Sequence, residues 1–285
     1  MKKLIFSLLT FLFITSNSFA QGKLKPPPIS FHLAAGYGLG LPGYIAYDET
    51  FRDPRSDKSV PIRTAEGIQV SAAVGIGLKN GFRFLVQAHY QQSLGQTTTQ
   101  YISYTEGGVN VLDEIPSKID YQTLAISPLI HYQVKLENSK WQPFISLGPS
   151  LMVQGRKRVI TEGYDPTPGL QYDYVLEEHT RMDLSFGGRV SIGFERQIAP
   201  KLFLSASLQF RAAYLVPKIS EYVRVELDGE DVTNQFETRQ LQVEYVDNYE
   251  YDWTPRPSEP SRSPKISEGY FGYDLMLGLS YYLFE

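Results

Sequence analysis

Near the C-terminus the stretch "GYDLMLGLSYYLFE" separates into two interleaved sets. Tyr273, Leu275, Leu277, Leu279, Tyr281 and Leu283 are large and apolar or aromatic, while Asp274, Met276, Gly278, Ser280 and Tyr282 are mostly polar or small. Successive side chains of a strand face opposite sides. The pattern therefore predicts a strand with one unbroken apolar face. The same alternation recurs seven times upstream. Phe31, Leu33, Ala35, Tyr37 and Leu39 alternate with His32, Ala34, Gly36, Gly38 and Gly40. Ile68, Val70, Ala72, Val74, Ile76 and Leu78 do so before an Asn80-Gly81 pair, and Phe82, Phe84, Val86, Ala88 and Tyr90 after it. Asn-Gly between two alternating runs is a strong hairpin signal.

A fourth run carries Leu124, Ile126, Pro128, Ile130, Tyr132, Val134 and Leu136 on one face. A fifth carries Trp141, Ile145, Leu147, Leu151 and Val153, with Gln142, Ser146, Gly148, Ser150 and Gln154 opposite. A sixth sets Met182, Leu184, Phe186, Val190, Ile192 and Phe194 against Arg181, Asp183, Ser185, Arg189, Ser191 and Glu195. A seventh sets Leu202, Leu204, Ala206, Leu208, Phe210 and Tyr214 against Ser205, Ser207, Gln209 and Arg211. Runs two and three, four and five, and six and seven are joined by a few residues. The other connections are long, at about 40–66, 94–120, 155–180 and 215–268. Strict alternation of short and long connections places all short turns at one end of an up-and-down sheet and all long loops at the other.

Periodicity does not say which face is inside. A soluble sandwich or lipocalin-like barrel would alternate too, with its apolar face inward. Three features argue for the reverse. The less apolar face mixes Gly, Ala and Ser with Arg83, Lys135, Arg181, Asp183, Arg189, Glu195, Arg211 and Asp274, which suits a narrow lumen of small residues and paired charges. The runs are about 10 residues or longer, enough to cross a bilayer when tilted. Aromatics gather near run ends: Tyr90, Tyr121, Tyr214 and Tyr273 on the long-loop side, Phe82, Tyr132, Trp141, Phe194 and Tyr281 on the short-turn side. Such girdles flank the apolar band of outer-membrane barrels. The expected fold is all-β: an eight-stranded antiparallel up-and-down transmembrane β-barrel over residues 29–285, with long extracellular loops and the last strand closing on the first.

The N-terminus supplies the compartment. Lys2 and Lys3 precede a short apolar run over 4–14, and Ser18-Phe19-Ala20 precedes Gln21. This reads as a secretory signal peptide over residues 1–20, with 21–28, including Lys25-Pro26-Pro27-Pro28, as a short periplasmic tail. Intact-mass measurement of the exported protein should find a chain beginning at Gln21. A retained N-terminal segment would contradict export. The absence of cysteine excludes disulfides and thiolate metal sites, and a net charge of −4 gives no basic signature for nucleic acid.

In these features the chain resembles the small bacterial outer-membrane β-barrels of the OmpA and OmpX type. In detail it resembles the "outer membrane protein beta-barrel domain" family, to which the PorT-like proteins of the type IX secretion and gliding machinery belong. The resemblance spans roughly 29–285 and rests on pattern rather than on an invariant motif. One departure is visible: such barrels usually finish on an aromatic residue, and here Glu285 follows Phe284. The resemblance implies a monomeric protein of the bacterial outer membrane with a structural or surface-binding role. It also implies an alternative as an accessory of a secretion machine, and another as an enzyme acting on lipid A at the rim.

Candidate chemistry is sparse. An eight-stranded barrel is just wide enough for its own side chains, so the inward charges are expected to pair and plug the lumen. Four histidines, His32, His89, His131 and His179, form no nucleophile-base pattern, so no catalytic residue, cofactor or metal site is expected. The segment 215–268 holds 12 Asp or Glu against 6 Lys or Arg. Its Val223, Val225 and Leu227 before Asp228-Gly229, with Leu241, Val243 and Tyr245 beyond, suggest strands continuing above the membrane. Its Tyr249, Tyr251 and Trp253 are candidate anchors for an envelope or secretion partner, and its carboxylates for divalent cations bridging lipopolysaccharide.

Overall fold

The computed structural model describes residues 28–41, 52–53, 58–59, 62–78, 80–106, 109–134, 136, 139–165, 172–247 and 255–283. The signal-peptide segment, residues 21–27 of the tail, Lys135, Tyr249, Tyr251 and Trp253 lie outside the described residues. The strands are β1 (Ile29–Gly40), β2 (Arg52–Asp53), β3 (Lys58–Ser59), β4 (Gly67–Gly77), β5 (Phe82–Gln92), β6 (Gln96–Glu106), β7 (Val109–Gln133), β8 (Trp141–Asp165), β9 (Tyr172–Met182), β10 (Ser185–Ala199), β11 (Leu202–Leu215), β12 (Pro217–Leu227), β13 (Glu230–Asp231), β14 (Gln242–Val246), β15 (Ser261–Pro264) and β16 (Glu268–Tyr282).

Eight of them close a ring. The pairings run β1, β4, β5, β7, β8, β10, β11, β16 and back to β1, every one antiparallel. The closing pair is long, from Ser30↔Tyr282 to Gly40↔Gly272. Closure leaves the barrel no unpaired edge. The alternating runs are these eight strands, in the expected order and with the expected short turns. At the β4–β5 turn Asn80 and Gly81 take φ of 59° and 83°, the left-handed conformation that Asn and Gly tolerate best.

The segments read as outer loops are themselves largely β. β7 and β8 each run for 25 residues, well beyond the ring. β6 pairs with the first half of β7, and β9 with the second half of β8. β12 then pairs with β9, β14 with β12, and β15 with β14. The barrel wall thus continues on one side as a sheet of order β6-β7-β8-β9-β12-β14-β15. In the segment expected to continue as strands above the membrane, residues 224–227 pair with β9, the chain turns back at Asp228-Gly229 so that Leu227 lies opposite Glu230, and Val243 sits opposite Ser220.

Two irregularities at the rim reverse the inside-outside sense of these strands. Leu124 pairs with Gln154 while its neighbour Ala125 pairs with Met152, which leaves Val153 as a bulge. One extra residue exchanges the two faces beyond it. Below the bulge Ser146 and Met152 are buried; above it Lys157, Val159 and Thr161 are. Gln154, expected inward, is exposed. Between β9 and β10, Asp183 and Leu184 leave the ladder. Met182, expected outward, is therefore buried, and Arg181 is exposed.

At the long-hairpin end the ring holds an apolar plug. Ile62 and Ala65, from the segment between β3 and β4, pack with Ile119, Tyr121, Met152, Val159, Met182, Ala213, Leu215 and Tyr270. Tyr121, expected in an outer girdle, is 1% exposed and belongs to this plug. The segment is tied down by the Thr64 hydroxyl, which donates to the Gly269 carbonyl at 2.8 Å, and by Gln91, whose Nε2 donates to the carbonyls of Thr64 and Glu66 at 3.2 Å each.

Candidate functional site

Two polar clusters fill the lumen beneath the plug. The upper one centres on Arg211 and Asp274. The guanidinium grips the carboxylate at two points, Nη2 to Oδ1 at 2.7 Å and Nε to Oδ2 at 2.6 Å. Nη1 donates to Gln91 Oε1 at 3.1 Å and to the Tyr270 hydroxyl. Tyr270 in turn donates to Gln91, and His89 bonds to Gln69. Arg189 lies beside this group and donates to Gln87 Oε1 at 2.9 Å. Gly38 is needed here, because a Cβ would collide with Gln69 and Asp274.

The lower cluster, at the short-turn end, surrounds Glu195. Its carboxylate accepts from Gln133 Nε2 at 2.8 Å, the Ser280 hydroxyl at 2.9 Å and the Tyr282 hydroxyl at 2.7 Å. Arg83 closes the group. It donates to Gln133 Oε1 at 2.9 Å and to the Tyr282 hydroxyl, with its guanidinium 4.2 Å from the centre of the Tyr282 ring. His32 and His131 face this cluster and bond to Ser280 and Ser146, each at 2.8 Å. Buried charges persist when paired or fully hydrogen-bonded: Asp274 is paired with Arg211, and Glu195 is held by three neutral donors.

Of the expected lumen charges, Arg83, Arg189, Glu195, Arg211 and Asp274 are where the alternation placed them. Two are not. Arg181 lies on the outer face of the wall, because the break at Asp183 and Leu184 reverses the strand. Asp183 sits at that break at the rim, 3.5 Å from Lys265 Nζ. A charge that the alternation did not single out is inside instead: Lys157, turned inward by the bulge, meets Glu268 at 2.7 Å, and Tyr121 donates to the same carboxylate at 2.7 Å. On the outer face Glu177 accepts from Arg158 at 2.8 Å and from His179 at 2.7 Å. The Arg158 hydrogen bond is the main influence holding Glu177 below the usual carboxylate range.

The space left in the lumen is small. One void among the serines, His131 and Glu195 measures about 60 Å³, and another beside Arg189 about 10 Å³. A diffusion channel needs a far wider ring. Planar-bilayer recording should therefore find little or no conductance, and sustained porin-sized currents would contradict the occluded lumen.

No family model matches the chain, and no curated protein does. Among solved structures it is similar to Neisserial surface protein A, at 11% identity and a TM-score of 0.37 over 89% of this chain and 95% of that one. It is also similar to a major outer membrane protein from Thermus thermophilus, at 12% and 0.39 over 91% and 100%. A third is Ail, the attachment invasion locus protein of Yersinia pestis, at 10% and 0.29 over 91% and 100%. The barrel itself is established by the closed ring of strand pairs.

Proposed function

We propose that this chain is a non-enzymatic barrel of the bacterial outer membrane that holds a β-wall above the surface in a structural or surface-binding role. The observation that carries this is the inverted polarity of the ring. Asp274 is 0% exposed and its neighbour Leu275 60%. Arg211, Arg189 and Glu195 are buried, while Phe186, Leu277 and Leu33 stand outside. The largest apolar patch of a soluble monomer measures about 300–600 Å², whereas here exposed apolar residues stand on the outside of all eight ring strands. Lipid tails remove that surface from water at roughly 25 cal/mol per Å², and a closed barrel leaves no backbone group unpaired in the bilayer.

The wall supports the binding part of the reading. It carries two edge strands, β6 and β15, and a charged outer face beyond the plug. Mild solubilisation of native membranes followed by affinity capture tests this. A stoichiometric partner lost when residues 217–264 are shortened supports surface binding. A partner from a secretion machine would favour the accessory reading, and altered lipid A in a deletion strain the enzymatic one.

A further inference from the structure

The first cross-strand row above the apolar band is cationic and unbalanced. Gln92 pairs with Gln122, Gln122 with Arg156, and Arg156 with Arg181. All four face outward on β5, β7, β8 and β9, lining a hollow of about 370 Å³. Arg156 and Arg181 are directly opposite each other, and like charges so placed repel. Among the described residues neither guanidinium has a hydrogen bond or an ion pair. The next row up is Asp120, Arg158, His179 and Glu221. It supplies its own carboxylates, and Arg158 is already held by Glu177. Both arginines face outward only because of the bulge at Val153 and the break at Asp183 and Leu184. The bulge and the break lie opposite each other in one unbroken register on β8, between the pairs Met152↔Ser185 and Arg156↔Arg181, and together turn a repelling pair to the same spot.

Beneath this row lie Leu184 and Phe186, 61% and 76% exposed. In a bilayer the row sits where the hydrocarbon ends and the headgroups begin. Guanidinium groups bind phosphate through paired N–H donors, and the flanking glutamine amides add donors. We infer that Arg156 and Arg181 hold the phosphate of a membrane lipid headgroup, with its acyl chains lying along Leu184 and Phe186. The apolar surface adjoining the arginines favours a lipid over free phosphate. This site rests on the membrane-spanning reading given above.

The test is native mass spectrometry of the protein in neutral detergent micelles, titrated with dioleoyl phosphatidic acid, with dioleoylglycerol and with inorganic phosphate. Phosphatidic acid should bind at least tenfold more tightly than dioleoylglycerol, which has the same tails without the phosphate. A tenfold excess of inorganic phosphate should not displace it. R156Q/R181Q should lose the preference. R224Q should keep it, because Arg224 is on the wall but pairs with Glu226. No preference in the wild type, or its survival in R156Q/R181Q, would overturn the site. Displacement by equimolar inorganic phosphate would overturn its assignment to a lipid. If the double variant does not fold, the two lipids on the wild-type protein still decide. Failure of the underlying reading shows differently, as a protein that does not insert into lipid vesicles at all.

Discussion

Asp274→Ala should destabilise the barrel by about 3–5 kcal/mol, the range for removing one partner of a buried ion pair. Arg211 contacts both oxygens of this carboxylate at 2.6 and 2.7 Å. Among the described residues Arg189, its cross-strand partner, has only Gln87 besides. Without Asp274 two guanidiniums would share the upper lumen with no carboxylate, and neither can reach water past the plug of Ile62, Tyr121 and Tyr270. Urea titration of folding into lipid vesicles, read by gel mobility, gives the cost. Adding Arg211→Met should recover much of it, because the second change removes one of the stranded charges. A loss below about 1 kcal/mol for Asp274→Ala, the range of an exposed pair, would show that the pair is not a buried structural element.

Leu208→Arg should cost roughly 2–4 kcal/mol in bilayers, the figure for a cation at the lipid face near the midplane. Leu208 faces outward between Ile192 and Leu275, its partners on β10 and β16. Among the described residues its cross-strand neighbours on that face are apolar. Gln209 is the contrasting position. It is 5% exposed, faces the lumen and pairs across strands with Ser191 and Asp274. Gln209→Arg gives the new cation a nearby carboxylate but also the like charges of Arg189 and Arg211, so it should cost less than Leu208→Arg. The same urea titration separates the two. Equal costs would mean that the two faces do not differ in environment.

The ring was legible in the sequence because each of its eight strands carries a period of two where it crosses the ring. The lumen residues Arg83, Arg189, Glu195, Arg211 and Asp274 followed from the same alternation. What it could not register is a single unpaired residue. Val153 and the pair Asp183 and Leu184 leave the local pattern readable on both sides but exchange the faces, which misplaced Gln154, Arg181 and Met182. The wall was hidden for another reason. "QTTTQYISYTE" in β6 is rich in Thr and Tyr, which favour strands, but has no apolar stripe and so reads as loop. The partners of Glu195 were not legible either. The sequence suggested an arginine, whereas a glutamine, a serine and a tyrosine from β7 and β16 satisfy the carboxylate. The plug formed by Ile62 and Ala65 arises only when the ring has closed around it.

Which face of the ring meets lipid is the point on which everything else rests. The chain has no cysteine, so Leu208→Cys and Gln209→Cys each provide a single labelling position without further changes. With a fluorophore attached at either position in protein folded into vesicles, quenching by lipids brominated on their acyl chains should be strong at 208 and weak at 209. Strong quenching at 209 with a shielded 208 would reverse the barrel's inside and outside and contradict the membrane-spanning reading.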